Sequence, residues 1–121
     1  MAGSTGFLTT HVLDTARGVP AAGIRVTLHR LTGMGRDWLA EMVTNDDGRT
    51  ESPILPEESF APGSYELEFD VGQYLNRLEI ETGNPRFLDI VPIRFGISDA
   101  DVHYHVPLLV SPYGYATYRG S

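Results

Sequence analysis

With 121 residues, 9 basic against 16 acidic side chains and a formal charge of −7, the chain fits a single domain. The acidic balance argues against a nucleic-acid or anionic-membrane partner, since both need a basic face. No cysteine occurs and every basic residue is an arginine, which excludes disulfides, thiolate metal sites, a cysteine nucleophile, Schiff-base chemistry and a Walker-type phosphate loop.

Along the chain the dominant period is two. Residues 7–14 read as a first strand, closed by the turn Arg17-Gly18-Val19-Pro20. In Ile24-Arg25-Val26-Thr27-Leu28-His29-Arg30 apolar and polar residues alternate, as on a half-buried strand. Residues 38–45 follow the turn Gly33-Met34-Gly35 and end at Asp46-Asp47-Gly48. After Ala61-Pro62-Gly63, the run Tyr65 to Val71 alternates most cleanly of all. The period then changes. Behind Asp70, an expected N-cap, Val71, Tyr74, Leu75 and Leu78 recur at three and four residues, which predicts one short helix over 72–81, stopped by Gly83. Residues 87–95, 103–111 and 113–119 complete the strands. Short strands with turns every 8–12 residues predict a mainly β, two-sheet sandwich. No apolar run approaches the ~20 residues of a membrane helix, and the opening segment lacks the basic and apolar blocks of a signal peptide. A soluble, cytoplasmic protein is the expectation.

Candidate chemistry centres on the histidines. If Tyr104, Val106, Leu108 and Val110 face the core, His103 and His105 share the opposite face of their strand. His11 lies on the same side of the first strand as Thr9 and Leu13, so two strands can bring imidazoles together on one sheet. Spacing alone leaves three uses open: solvated surface residues, a metal site built on His-x-His, or an acid–base pair working near neutral pH. His29, opposite the Ile24/Val26/Leu28 stripe, reads as a surface histidine, and Glu66, Glu68 and Asp70 read as a solvated strand face. Arg49 follows a tight turn and either pairs with its acidic neighbours or presents a fork of donors to a planar ligand. The C-terminal stretch holds Tyr113, Tyr115 and Tyr118, which is unusual for a terminus and suggests a strand that packs, against another subunit for example.

Three segments carry a resemblance. Leu8 to Gly23, with His11, Asp14, Gly18 and Pro20, resembles the first motif of the transthyretin-related proteins. Thr44-Asn45-Asp46-Asp47-Gly48-Arg49 resembles their central motif, and His103 to Ser121 the third. The terminal Tyr118-Arg119-Gly120-Ser121 is similar to the mark of the enzyme branch, the 5-hydroxyisourate hydrolases. The resemblance runs from about residue 6 to the end. Met1 to Thr5 match nothing, so they are expected to form a disordered leader before one domain over 6–121.

This resemblance implies a transthyretin-like sandwich of two four-stranded sheets with one short helix, assembled as a homotetramer, a dimer of dimers with sites in the channel between dimers. It implies hydrolysis of the cyclic amide of 5-hydroxyisourate to 2-oxo-4-hydroxy-4-carboxy-5-ureidoimidazoline, with no cofactor and no metal. His11, Arg49 and His105 are implied as the catalytic group, His11, Arg49, Tyr118 and Ser121 as substrate-binding residues, and His103 as a supporting one. Which histidine is the base stays open. The rival expectation is a transthyretin-like carrier of a small apolar ligand in the same channel, which calls for an apolar wall. A sandwich adhesion or carbohydrate-binding module would instead display exposed aromatic stripes.

Overall fold

The computed structural model of the chain describes residues 5–120. Among these residues eight strands form, the central ones on an alternation of apolar and polar residues: β1 (Phe7–Asp14), β2 (Val19–Pro20), β3 (Arg25–Thr32), β4 (Gly35–Val43), β5 (Gly63–Asp70), β6 (Ile90–Ile97), β7 (His103–Ser111) and β8 (Gly114–Thr117). One sheet has the order β2-β1-β7-β8 and the other β4-β3-β5-β6. The β1–β7 pair is parallel, and every other pairing is antiparallel. The inward residues follow the period of two: Leu8 and Val12 on β1, Val26 and Leu28 on β3, Leu67 and Phe69 on β5, Val106 and Leu108 on β7, all in one core. Each such side chain contributes roughly 1.5–3 kcal/mol by leaving water.

The helix α1 (Val71–Arg77) starts where expected, with the Asp70 carboxylate accepting the Gln73 N–H. It stops earlier than Gly83. Glu79 takes a left-handed φ of 59°, its N–H donates to Asn76 O, and the Ile80 N–H returns to Leu75 O. That paired closure satisfies the last carbonyls and turns Ile80 back against the core. β6 accordingly begins at Ile90, three residues later than the sequence reading. No helix among the described residues is long and apolar enough to cross a membrane.

The outer face of β3 and β5 corrects two expectations. His29 and Glu66, read as solvated, are both buried. They pair across β3 and β5, and on β4 the register shifts so that Trp38 stands opposite His29. Arg36 Nη1 donates to Glu66 Oε1 at 2.6 Å and Arg94 Nε to Oε2 at 2.9 Å, so two guanidiniums fold over one carboxylate. Burial pushes the Glu66 carboxyl up, and these hydrogen bonds outweigh it and hold it below the usual carboxylate range. His29, Glu66 and Glu68 have ligand atoms within 4.8 Å of one another. Both Glu66 oxygens are already committed to arginines, as is one of Glu68 at 3.1 Å from Arg36, so the charges are matched within the protein. Glu66→Ala is expected to lower stability by about 2 kcal/mol, the scale of hydrogen bonds to a charged group. A urea titration of the variant measures it, and an unchanged midpoint would show the pairs to be energetically idle.

Candidate active site

The edge of β1 away from β7 is covered in pieces. β2 pairs with it at Leu13 and Asp14, and Leu8 bridges Leu55. Between them the turn after β4 docks. Buried Thr44 anchors its start, its hydroxyl donating to Ala21 O and accepting from the Ile24 N–H. Asn45 then closes the turn, its side-chain oxygen accepting from the backbone N–H groups of Asp47 and Arg49. Gly48 has φ +75°, and a Cβ there would come within 2.4 Å of Val12 O, so only glycine lets the turn lie this close to β1. The Val12 N–H donates to Gly48 O at 2.8 Å, and His11 bridges Arg49.

Three imidazoles and a guanidinium converge as a result. A cleft of about 260 Å³ is lined by Thr9, Thr10, Arg49, Thr50, His103 and His105. The His11 ring stands 6.5 Å from the His105 ring, and the His103 ring 6.1 Å. Phe7 stacks on His103 at 4.1 Å, with the planes 12° apart. Arg49 is exposed, and among the described residues no carboxylate forms an ion pair with it. Its charge is therefore directed at the histidines and the cleft. Burial, then the Arg49 charge, lowers the pKa of His11 below the ordinary 6.5, with Asp47 opposing. Burial, then the charges of Arg49, His103 and His11, lowers that of His105. Both rings are thus held neutral at pH 7, the form that accepts a proton.

Beyond Thr117 the chain stays over β7. The Thr117 hydroxyl donates to Pro107 O, the Gly120 N–H to His105 O at 2.7 Å, and Arg119 stacks over Tyr104 at 4.3 Å. A Cβ on Gly120 would come within 2.5 Å of the His105 ring, so a glycine is what allows the backbone to pass beside it.

The profile of the HIUase/Transthyretin family matches residues 8–120. The chain belongs to that family. It is 54% identical over 117 residues to 5-hydroxyisourate hydrolase 2 of Rhizobium meliloti (strain 1021), covering 97% of this chain and 98% of that protein. Among solved structures it is similar to (S)-allantoin synthase, with 49% identity and a TM-score of 0.92 over 98% of this chain. The chain spans 45% of the length of that synthase. Sea bream transthyretin in complex with thyroxine is 26% identical, with a TM-score of 0.83 and 93% of each chain covered.

In this HIUase/Transthyretin-family sandwich, the described residues agree with the implied two four-stranded sheets and one short α-helix. Arg49, His103 and His105 line the cleft, and His11 stands beside it, bridged to Arg49 with its ring 6.5 Å from that of His105. Tyr118 is 60% exposed and sits with Thr117 and Arg119 at a second cleft of about 270 Å³, bounded by β6 and β7. Ser121 and Met1 to Ser4 lie outside the described residues. Thr5 donates from its N–H to the Asp101 carboxylate at 3.3 Å. Sequence reasoning gave no role to Thr9 and Thr50, which line the cleft. For Thr9 the signal was present, since it alternates with His11 along β1.

Proposed function

We propose that the chain hydrolyses the cyclic amide of 5-hydroxyisourate, opening the ring to 2-oxo-4-hydroxy-4-carboxy-5-ureidoimidazoline, without cofactor or metal and in the cytoplasm. The observation that carries this reading is that Arg49 and His105 line one cleft with the His11 ring 6.5 Å from that of His105; burial and the Arg49 charge favour the neutral form of both rings. Amide hydrolysis needs an activated water, a donor for the developing oxyanion and a proton for the departing nitrogen. In this proposal His105 takes the proton from water, Arg49 grips the planar substrate and faces the developing negative charge, and His11 orients the substrate. Tyr118, which in this chain borders the second cleft and not the histidine cleft, and Ser121 are the further binding residues that this reading assigns. The identity to the Rhizobium meliloti hydrolase supports the reading. Against a carrier of apolar ligands stands a cleft wall made of imidazoles, threonines and a guanidinium.

The proposed assembly is a homotetramer. Its support is a set of large apolar side chains left exposed on and near the edge strands β6 and β8: Phe87, Ile90, Tyr113 and Tyr115. Light scattering coupled to gel filtration is expected to give the mass of four chains, and a monomer mass would overturn it.

The deciding experiment generates 5-hydroxyisourate in situ with urate oxidase and follows its ultraviolet absorbance. Faster decay in the presence of this protein is the expected result. An unchanged decay rate with well-folded protein would overturn the hydrolase reading.

A further inference from the structure

Thr9 stands on β1 between the two histidines of β7. Register places it directly opposite His105, and its hydroxyl oxygen lies 2.6 Å from His103 Nε2 and 2.7 Å from His105 Nδ1. Both are hydrogen-bond distances. A hydroxyl has one proton, so it donates to one ring at most, and the other ring must present an N–H to it. The protonation of the two imidazoles is therefore linked through a single oxygen. Both neighbours are held in place: Phe7 stacks on His103, and the passing backbone of Gly120 lies against the His105 ring. Threonine is itself stiff at χ1.

We propose that Thr9 is a positioning residue: its hydroxyl keeps the proton of His105 on Nδ1, leaves Nε2 bare for the attacking water, and relays the charge His105 acquires to His103. This rests on the reading of His105 as the base. In the resting state His105 Nδ1–H donates to Thr9 Oγ1 and the Thr9 hydroxyl donates to His103 Nε2, while His103 carries its own proton on Nδ1. When His105 Nε2 takes a proton from water, its Nδ1 proton passes to Thr9 Oγ1 as the Thr9 proton passes to His103 Nε2. His105 ends neutral with its proton on Nε2, His103 ends as an imidazolium, and Thr9 is unchanged. Delivery of the Nε2 proton to the departing amide nitrogen runs the relay backwards and restores the starting state. His105 faces Arg49 from the turn, His11 from β1 and His103 from β7, and its burial followed by the Arg49 charge disfavours a positive charge on its ring. His103 is exposed, so water solvates the charge moved there.

The test uses Thr9→Val, which keeps the shape and removes the hydroxyl, beside Thr9→Ser, which restores it. Thr9→Val is expected to lower kcat about 10- to 100-fold, the scale of losing the partner that orients a functional imidazole, with KM nearly unchanged. Thr9→Ser is expected to recover most of it. His103→Phe should lower kcat as Thr9→Val does, and the two together should cost no more than either alone. Nitrogen-15 NMR of the imidazoles, which needs no substrate, should show the His105 proton on Nδ1 in the starting protein and displaced towards Nε2 in Thr9→Val. An unchanged tautomer and kcat in a folded Thr9→Val protein would overturn the relay. Loss of the tautomer preference in a protein that never hydrolyses 5-hydroxyisourate would uphold the positioning and overturn the hydrolase reading instead.

Discussion

His105→Asn is expected to lower kcat for ring opening by roughly 10²–10⁴-fold, the range lost when an acid–base group is removed. The carboxamide matches the polarity of the imidazole and cannot accept a proton near pH 7. The variant should fold, because His105 lies on the outer face of β7 while Tyr104, Val106 and Leu108 make the core. The hydrogen bond that holds the tail beside it uses the His105 carbonyl, which the substitution leaves in place. Absorbance decay of 5-hydroxyisourate gives the rate, and circular dichroism with gel filtration checks fold and assembly. Undiminished turnover would remove His105 from the reaction and leave His11 as the base.

How much of this was legible in the sequence depends on whether the determining contact is local. The alternation reports that Tyr104, Val106, Leu108 and Val110 enter the core, because a strand repeats every two residues whatever its neighbours are, although Pro107 between them is buried as well. The same rule put His103 and His105 together on the other face. Glu66 and His29 obey the alternation too, and they point outward as expected. Their burial comes from elsewhere: Arg36 and Arg94 lie 30 and 28 residues away from Glu66 and close over it only after β4 and β6 have paired. The register shift that sets Trp38 opposite His29 is invisible for the same reason. Glu79 ended the helix where no glycine marks the stop, since the returning contact of Ile80 with the core rewards a left-handed residue that local propensity disfavours. In the site, Arg49 was recognisable from its turn. That the turn docks on β1 follows from Gly48 meeting Val12, a pair 36 residues apart in the chain. The Thr9 bridge likewise needs the parallel β1–β7 register, which brings together residues 96 apart.

Arg49→Ala should reduce kcat/KM by about 3 kcal/mol, near 10²-fold, the usual loss when one donor to a developing oxyanion is removed. Arg49→Lys should recover only part, because an ammonium lacks the planar fork that meets a flat, carbonyl-rich substrate in two places. The pH profile carries the sharper signature. A base works as the neutral imidazole, so activity falls as pH drops through the pKa of the base. Burial and then the Arg49 charge lower the pKa of both His11 and His105, so the acid limb of the unaltered protein should lie below 6.5. Without the guanidinium, protonation becomes easier, the pKa rises, and the limb moves to higher pH. Burial, the larger cause, remains in the variant, so the shift should stop short of a fully solvated imidazole. Turnover of 5-hydroxyisourate between pH 5 and 8 measures both effects at once. A limb that stays fixed while kcat/KM collapses would mean that Arg49 grips the substrate without acting on the histidines. A limb that moves to lower pH would contradict the electrostatic arrangement of the cleft itself.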